Sequence, residues 1–285
     1  MDDKSNMYNP LEQQDLLLRE RGIMVFDNIS RLPVYGEPYV SPHLIICICH
    51  QGISRIEYDI QPALFQTHEL CVLYPNHIIL AHESTGDYRA TLIVITQEFL
   101  NNLQHRSSYR YELEYRRRPA FQLTDQQYKT VCNFIRTMQS INQHDIPHRQ
   151  TLMAELVSVF SLMVDDFRFG DKQELPEWKS GEKLFHRFFD ALALHLHESH
   201  EIRYYAELLC LSPKYFSMLI KQETGKSAGD WIAQYIVIQA KSLLSNRQDL
   251  NIQQISERLG FPEQSSFSRY FRTYTGISPS EYRKQ

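Results

Sequence analysis

Residues 255–284 read ISERLGFPEQSSFSRYFRTYTGISPSEYRK, and an earlier segment of the same chain repeats their pattern. Sliding the sequence by 50 positions aligns Leu209 with Leu259 and Leu211 with Phe261. Sliding it by 51 positions aligns Phe216 with Phe267, Ser217 with Ser268, Ile220 with Phe271, Lys221 with Arg272, Thr224-Gly225 with Thr275-Gly276, Ser227 with Ser278 and Trp231 with Tyr282. We therefore predict two copies of one unit, each a short helix, a turn and a second helix that ends at a glycine. This is the layout of a helix-turn-helix, and we refer to copy one (around Leu209) and copy two (around Leu259).

The second helix of each copy is predicted to have one buried and one exposed face. At 3.6 residues per turn, the inward side chains are Phe216, Leu219 and Ile220 in copy one and Phe267, Tyr270, Phe271 and Tyr274 in copy two. The outer stripes are Lys214, Ser217, Met218 and Lys221 in copy one and Ser265, Ser268, Arg269 and Arg272 in copy two. Each outer stripe ends on a cation and contains small hydrogen-bond donors, which suits a DNA groove and its phosphates. For a single helix, an exposed polar stripe is more simply explained as a solvated face. The recurrence of the stripe in both copies favours a surface that contacts DNA.

Between the copies, residues 227–246 read SAGDWIAQYIVIQAKSLLSN, which predicts one long helix. A helix of about 18 residues is roughly 27 Å long. A rod of that length can hold two recognition helices about one DNA turn apart, roughly 34 Å, so that both enter successive major grooves. The repeat and its spacer therefore fit the same ligand.

Residues from about 182 to 284 resemble the DNA-binding domain of the AraC/XylS (arabinose-regulator) family, because LGF, FSRYFR, TG and SPSEYR occur in order at that family's spacing. The resemblance implies seven helices, two of which read DNA, and a role in regulating transcription. It also implies that the eight residues of the outer stripes contact bases and phosphates. Two departures are Ser256, where the family usually has alanine, and Met218, where a longer polar side chain is common. Met218 predicts an apolar contact with DNA, such as a thymine methyl group.

The first part of the chain has a different texture. Between about Gly22 and Ile95, short apolar runs such as HLIICIC and RATLIVIT alternate with turn residues, which predicts an antiparallel sandwich or small barrel. Two amphipathic helices are predicted to follow, with starts near Thr124 and Pro147. Strands followed by two helices resemble the cupin-like effector-binding and dimerisation region of the same family. The resemblance implies a barrel whose interior binds a small molecule and helices that pair two subunits.

Charge is distributed unevenly over the 285 residues. The net charge is -4, but residues 182–285 carry 13 Lys and Arg against 11 Asp and Glu. This leaves the C-terminal part as the candidate for a surface that faces phosphate. The N-terminus, MDDKSNMYNP, lacks the pattern of a signal peptide, and no long uncharged apolar run occurs. We therefore expect a cytoplasmic protein with no membrane partner.

Several clusters resemble metal or nucleotide sites, and in each we favour a structural role. The trio His195, His197 and His200 does not share a helix face. The histidines of the presumed barrel, His68, His77 and His82, lack the His-x-His of metal-binding cupins. Lys226-Ser227 lacks the upstream glycine of a phosphate-binding loop. We expect no metal and no cofactor.

The cysteines and one basic run are likewise predicted to be structural. The five cysteines, of which Cys47 and Cys49 share a strand face, are predicted to be reduced core residues: Cys47, Cys49, Cys71, Cys132 and Cys210. Arg116–Arg118 is predicted to be a solvated loop, with contact to DNA, an anionic effector or a partner as the alternative.

These observations predict an α+β protein of two domains. The first, residues 1–170, is a cupin-like β-barrel with two flanking helices; a linker spans 171–181; an all-α domain with two helix-turn-helix units spans 182–285. The predicted function is binding of double-stranded promoter DNA by a homodimer that responds to a small-molecule effector and contacts RNA polymerase, and no enzyme activity is expected. The alternatives are a cupin-type metal-dependent enzyme with an accessory helical domain, and a regulator without an effector.

Overall fold

The computed structural model describes residues 15–30, 38–59, 61–103, 109–170, 180–247 and 249–284. The chain divides into two compact units, Met1–Leu175 and Pro176–Gln285. Most of the predicted linker, residues 171–179, lies outside the described residues. The described helices include none with the length and apolarity needed to cross a membrane.

The first unit contains nine strands and five helices in the described residues. The strands are β1 (Ile23–Ile29), β2 (Tyr39–Val40), β3 (Leu44–Gln51), β4 (Ile53–Tyr58), β5 (Gln61–Gln66), β6 (Glu69–Leu73), β7 (Ile78–Ser84), β8 (Arg89–Ile95) and β9 (Ala120–Gln122). The helices are α1 (Asp15–Arg21), α2 (Gln97–Asn101), α3 (Tyr109–Arg117), α4 (Asp125–Gln143) and α5 (Arg149–Phe169).

The strands form two antiparallel sheets. Five strands pair in the order β1-β8-β3-β6-β9, and four pair in the order β2-β7-β4-β5. Among the described strands no ladder joins the two sheets, so the predicted closed barrel is wrong and the sandwich alternative describes this unit. The sheets are held together by packing, because Tyr58, Phe65 and Tyr88 are buried with Cys47 and Leu92 in the core between them.

The five-stranded sheet is covered on both faces. Its other face packs on α4 and α5 through a second core that includes Ile46, Ile93, Val131 and Phe160. This explains why β3, LIICICHQ, is apolar at consecutive positions rather than at alternate ones. The predicted helices are confirmed: α4 begins directly after Thr124, whose side chain caps it, and α5 begins two residues beyond Pro147.

The side chains that resembled metal or anion sites have structural partners in this unit. Among the cysteines, Cys47, Cys49 and Cys71 are buried and free, as predicted, but Cys132 is half-buried and Cys210 is exposed. His77 pairs with Asp59 at 2.6 Å, His82 lies 3.5 Å from Glu57, and His68 stacks on Tyr128. The solvated loop predicted for Arg116–Arg118 is wrong for Arg116, which is buried at the end of α3 and donates to Glu112.

The second unit consists of helices in the described residues. They are α6 (Ser180–His195), α7 (Ile202–Leu208), α8 (Pro213–Thr224), α9 (Ala228–Asn246), α10 (Ile252–Arg258), α11 (Gln264–Thr275) and α12 (Pro279–Tyr282). These are the seven helices that the family resemblance implies. Copy one corresponds to α7 and α8, and copy two to α10 and α11. Aromatic rings fill the core of the unit. The ring centroids of Phe188 and Phe216 are 5.1 Å apart, and those of Phe261 and Phe267 are 5.4 Å apart.

Candidate nucleic-acid interface

The turns of the two copies have the same backbone hydrogen bonds. In copy one the Leu211 amide donates to the Ala206 carbonyl at 2.8 Å, and in copy two the Phe261 amide donates to the Ser256 carbonyl at 3.0 Å. The residue between helix and turn is left-handed in both, with φ of 60° at Cys210 and 77° at Gly260. The internal repeat of the sequence is therefore a repeat of backbone geometry as well.

Copy one presents α8 as its second helix. Ser212 caps it by accepting from the amide of Tyr215, and Gly225 ends it with φ of 74°. Phe216 and Ile220 are fully buried. Residues 225–230, GKSAGD, lead directly into α9, which starts at Ala228, so α8 is short and sharply bounded.

The outer stripe predicted for copy one lies on the surface of α8. Lys214, Met218 and Lys221 are exposed, and Ser217 is half-buried at the edge of the stripe. Met218 is 52% exposed, which is unusual for a methionine in a helix with a well-packed opposite face.

Two further exposed residues of α8 belong to the same face and were missed from sequence. They are Tyr215, which is 48% exposed, and Gln222. On a helical wheel they lie about 60° and about 40° from Met218, on the side opposite the two lysines. The predicted stripe takes positions at helical spacing starting from Lys214, and these positions cover only one edge of the exposed face. Centring the count on Met218 would have found both.

Copy two presents α11 in the same way. Phe267 and Phe271 are fully buried, and Gly276 ends the helix with φ of 81°. The outer stripe is again on the surface, with Ser265, Arg269 and Arg272 exposed and Ser268 half-buried.

One inward assignment in copy two is wrong. Tyr274 is 55% exposed. Its ring lies against the half-buried Tyr270, with ring centroids 4.8 Å apart. The last turn of α11 therefore continues past the aromatic core.

The spacer helix α9 joins the two copies. Its 19 residues correspond to about 28 Å, and it contacts α8, α10, α11 and α12. Ser227 and Asp230 form a capping box at its start. Trp231 is fully buried and its indole nitrogen donates to Thr224 at 2.9 Å, which ties the end of α8 to the start of α9.

Two of the histidines near the end of α6, His195 and His197, lie beside Glu198, and the third has a different partner. His200 lies with Nε2 2.7 Å from the carbonyl of Leu259, so the ring donates a hydrogen bond to the turn of copy two. Burial lowers the pKa of His200, which favours the neutral ring. His195 lies 3.0 Å from Glu198, and the hydrogen bond that Tyr204 donates to Glu198 lowers the pKa of that carboxyl group.

A family model described as a helix-turn-helix domain matches residues 205–285. The arabinose operon regulatory protein of Salmonella typhimurium is 41% identical over 90 residues, which cover 31% of this chain and 32% of that protein. The protein of the same name from Escherichia coli is 40% identical over 90 residues, covering 31% of this chain and 30% of that protein. The chain therefore matches about a third of the length of these curated relatives.

Among solved structures, ToxT from Vibrio cholerae is similar over 92% of this chain and 98% of its own, with 14% identity and a TM-score of 0.48.

Proposed function

We propose that the C-terminal unit is a helix-turn-helix domain of the AraC/XylS family. On this premise, the chain regulates transcription by binding promoter DNA through α8 and α11. The observation that carries the proposal is the pair of matching exposed stripes on two helices that share one turn geometry. The relatives matched by this domain include proteins named as operon regulators, which supports this function over the cupin-type enzyme.

The stripes suit the two kinds of contact that DNA recognition needs. Arg269 and Arg272 carry planar guanidinium groups that can pair with a guanine edge or a phosphate. Lys214 and Lys221 lie along one edge of α8, where an ammonium group can reach the phosphate backbone. The serines of the stripes, Ser217, Ser265 and Ser268, can donate to either. The salt dependence of DNA binding grows with the number of phosphates that a protein neutralises. The second unit has little net positive charge, so we expect binding that weakens only moderately with added salt.

We further propose that the chain works as a homodimer through α5. Leu152, Val159 and Leu162 lie along one side of this helix and are between 42% and 52% exposed. They are seven and three residues apart, which places them in a single stripe. Such a stripe is typical of a helix that pairs with another helix. The exposed side of α4 offers polar residues such as Lys129 and Arg136 instead.

The dimer is tested by Val159→Glu with Leu162→Glu in the full chain, against Lys129→Glu as a control on the polar face of α4. We expect sedimentation velocity to show a dimer for the unchanged chain and the control, and a monomer for the double variant. A dimer that survives both charges would place the subunit interface elsewhere.

Control by a small molecule in the first unit is also a proposal. Among the described residues, side chains such as Tyr58 and Tyr88 fill the core between the sheets, which does not favour an effector site in this interior. A cleft of about 330 Å³ between α1, α2 and α5, lined by Arg19, Phe99 and Glu155 among others, supports a polar effector instead. Contact with RNA polymerase is likewise a proposal that rests on the role in transcription.

The experiment that tests the main proposal is sequencing of genomic DNA retained by the full-length chain at physiological salt. An Arg269→Ala, Arg272→Ala double variant is run in parallel. We expect a motif with paired segments about one DNA turn apart, and its loss in the double variant. Retention of the same DNA by both proteins would contradict the role given to α11.

A further inference from the structure

We propose that the two recognition helices read different base pairs: α11 reads guanine, and α8 reads a segment of A·T pairs. The DNA site then consists of two unlike segments. This inference rests on the proposed function, since it names which DNA the two outer faces select.

The two helices place different side chains at the same point of the same face. An offset of 51 residues brings Met218 of α8 onto Arg269 of α11, and both side chains are exposed. Each stands at the centre of its outer face. One flanking cation also corresponds, because Lys221 matches Arg272, whereas Lys214 matches Ser265. The copies therefore share one cation on this edge and differ at the centre.

On α11 the central side chain is a guanidinium group. Arginine pairs in a bidentate way with the O6 and N7 atoms of guanine, which is the most common specific contact in the major groove. Arg272 lies one turn further along, on the cationic edge. The neighbours of Arg269 on the other edge are Ser266 and Thr273, which are short and accept or donate without preference. Discrimination by α11 therefore depends on its arginines, and their preferred partner is guanine.

On α8 the central side chain has no hydrogen-bond donor. The thioether of Met218 is apolar and flexible, and in a major groove its favourable partner is the methyl group of thymine. Gln222 lies about 40° away on the same face, and a glutamine amide matches the N6 and N7 atoms of adenine. Tyr215 adds an exposed ring beside them. The three side chains together favour A·T pairs.

The inference is tested by exchanging the two central side chains in the full-length chain. Met218→Arg gives α8 a guanidinium group, and Arg269→Met removes one from α11. Arg203→Met is the matched control, because Arg203 is an exposed cation of α7 outside both outer faces. Each protein selects duplexes from a random-sequence library at physiological ionic strength, and the selected DNA is sequenced. Circular dichroism checks that each variant retains its helices.

For the unchanged chain we expect a motif of two segments, one with a strong guanine and one rich in A·T pairs. Arg269→Met should reduce the preference for that guanine by about 5- to 150-fold while the other segment is unchanged. Met218→Arg should introduce guanine into the A·T segment. Arg203→Met should leave the motif as it is, with at most a uniform loss of affinity.

Two results overturn the inference while the proposed function stands: the guanine preference survives Arg269→Met, or the A·T segment is unaffected by Met218→Arg. Selection of no motif by the unchanged chain overturns the proposed function, and the inference with it.

Discussion

Copy one and copy two have the same turn but fill it with different residues. The left-handed position is Cys210 in one and Gly260 in the other, and the buried position of the first helix is Ala206 in one and Ser256 in the other. The backbone hydrogen bonds across both turns are nevertheless equivalent. Turn geometry in this domain is therefore set by the helices and their packing. Which residue is tolerated at each position of the turn depends on the atoms around it.

Gly260 shows what those surroundings demand. A Cβ atom at this residue would lie 2.6 Å from the carbonyl oxygen of His197, which is backbone and cannot rotate away. Cys210 is exposed, and its side chain meets solvent. A left-handed residue with a side chain is thus tolerated in copy one, at a cost of about 1 to 2 kcal/mol, and is excluded in copy two.

In the comparison of the two copies, we expect the largest change in the free energy of unfolding from their buried phenylalanines. We expect Phe216→Ala and Phe267→Ala each to lower the free energy of unfolding by about 3 to 5 kcal/mol, because both side chains are fully buried. Urea unfolding of the full chain followed by tryptophan fluorescence measures this, since Trp231 is buried in the same unit. Tyr274→Ala is the control and should cost less than about 0.5 kcal/mol. A loss for one phenylalanine several times that for the other would show that the copies are not equally packed.

The turn residues should give the next effect. Gly260→Ala should lower the free energy of unfolding by roughly 2 to 3 kcal/mol, because the new Cβ combines a positive φ with a contact to the His197 carbonyl. Cys210→Gly at the equivalent residue should raise it by a few tenths to about 1 kcal/mol. The same unfolding measurement serves both. A loss in Gly260→Ala no larger than the gain in Cys210→Gly would mean that the positive φ alone, and not the contact with His197, sets the difference between the turns.

The effect on DNA-binding free energy should differ between the two copies by a smaller amount. We expect Arg269→Ala to weaken binding to the selected DNA by roughly 1 to 3 kcal/mol and to random DNA by little, because the guanidinium group is assigned to a base. Met218→Ala should cost about 1 kcal/mol or less, since only an apolar contact is lost. Titrations with labelled duplexes at fixed salt compare the two. An equal loss on specific and random DNA would reassign Arg269 to a phosphate.

The smallest effect should come from the buried serine. Within the described residues the Ser256 hydroxyl is buried without a hydrogen-bond partner, whereas the matching Ala206 has no polar group to bury. Ser256→Ala should therefore raise the free energy of unfolding by about 1 kcal/mol, and Ala206→Ser should lower it by a similar amount. Thermal unfolding of both variants beside the unchanged chain is the measurement. A loss of stability in Ser256→Ala would show that the hydroxyl has a useful partner.

The outer stripes were predictable to within two residues. Helical periodicity alone brought Lys214, Met218 and Arg269 to the surface, because side chains three and four residues apart always share a face. The same rule placed Tyr274 inside, and there it was wrong. Periodicity specifies the side of the helix, but not how far the core extends along it.

The first unit was harder to predict for a related reason. The runs of apolar residues identified its strands, and Thr124 identified the start of α4. Whether the strands close into a barrel depends on which of them pair. In the structure β3 pairs with β6 and β8, and β1 pairs with β8, which are distant in sequence. Pairing of that kind has no local signature, so two sheets and one barrel could not be told apart.

By itself the sequence determined the repeated helix-turn-helix, its helix ends and its exposed stripes, because caps, glycines and a period of 3.6 act within a few residues. Only the tertiary structure decided that the β unit is two sheets, that Arg116 is buried, and that Gly260 faces the carbonyl of His197. Each of these depends on contact between elements that are far apart in the chain, and such contacts are settled by packing.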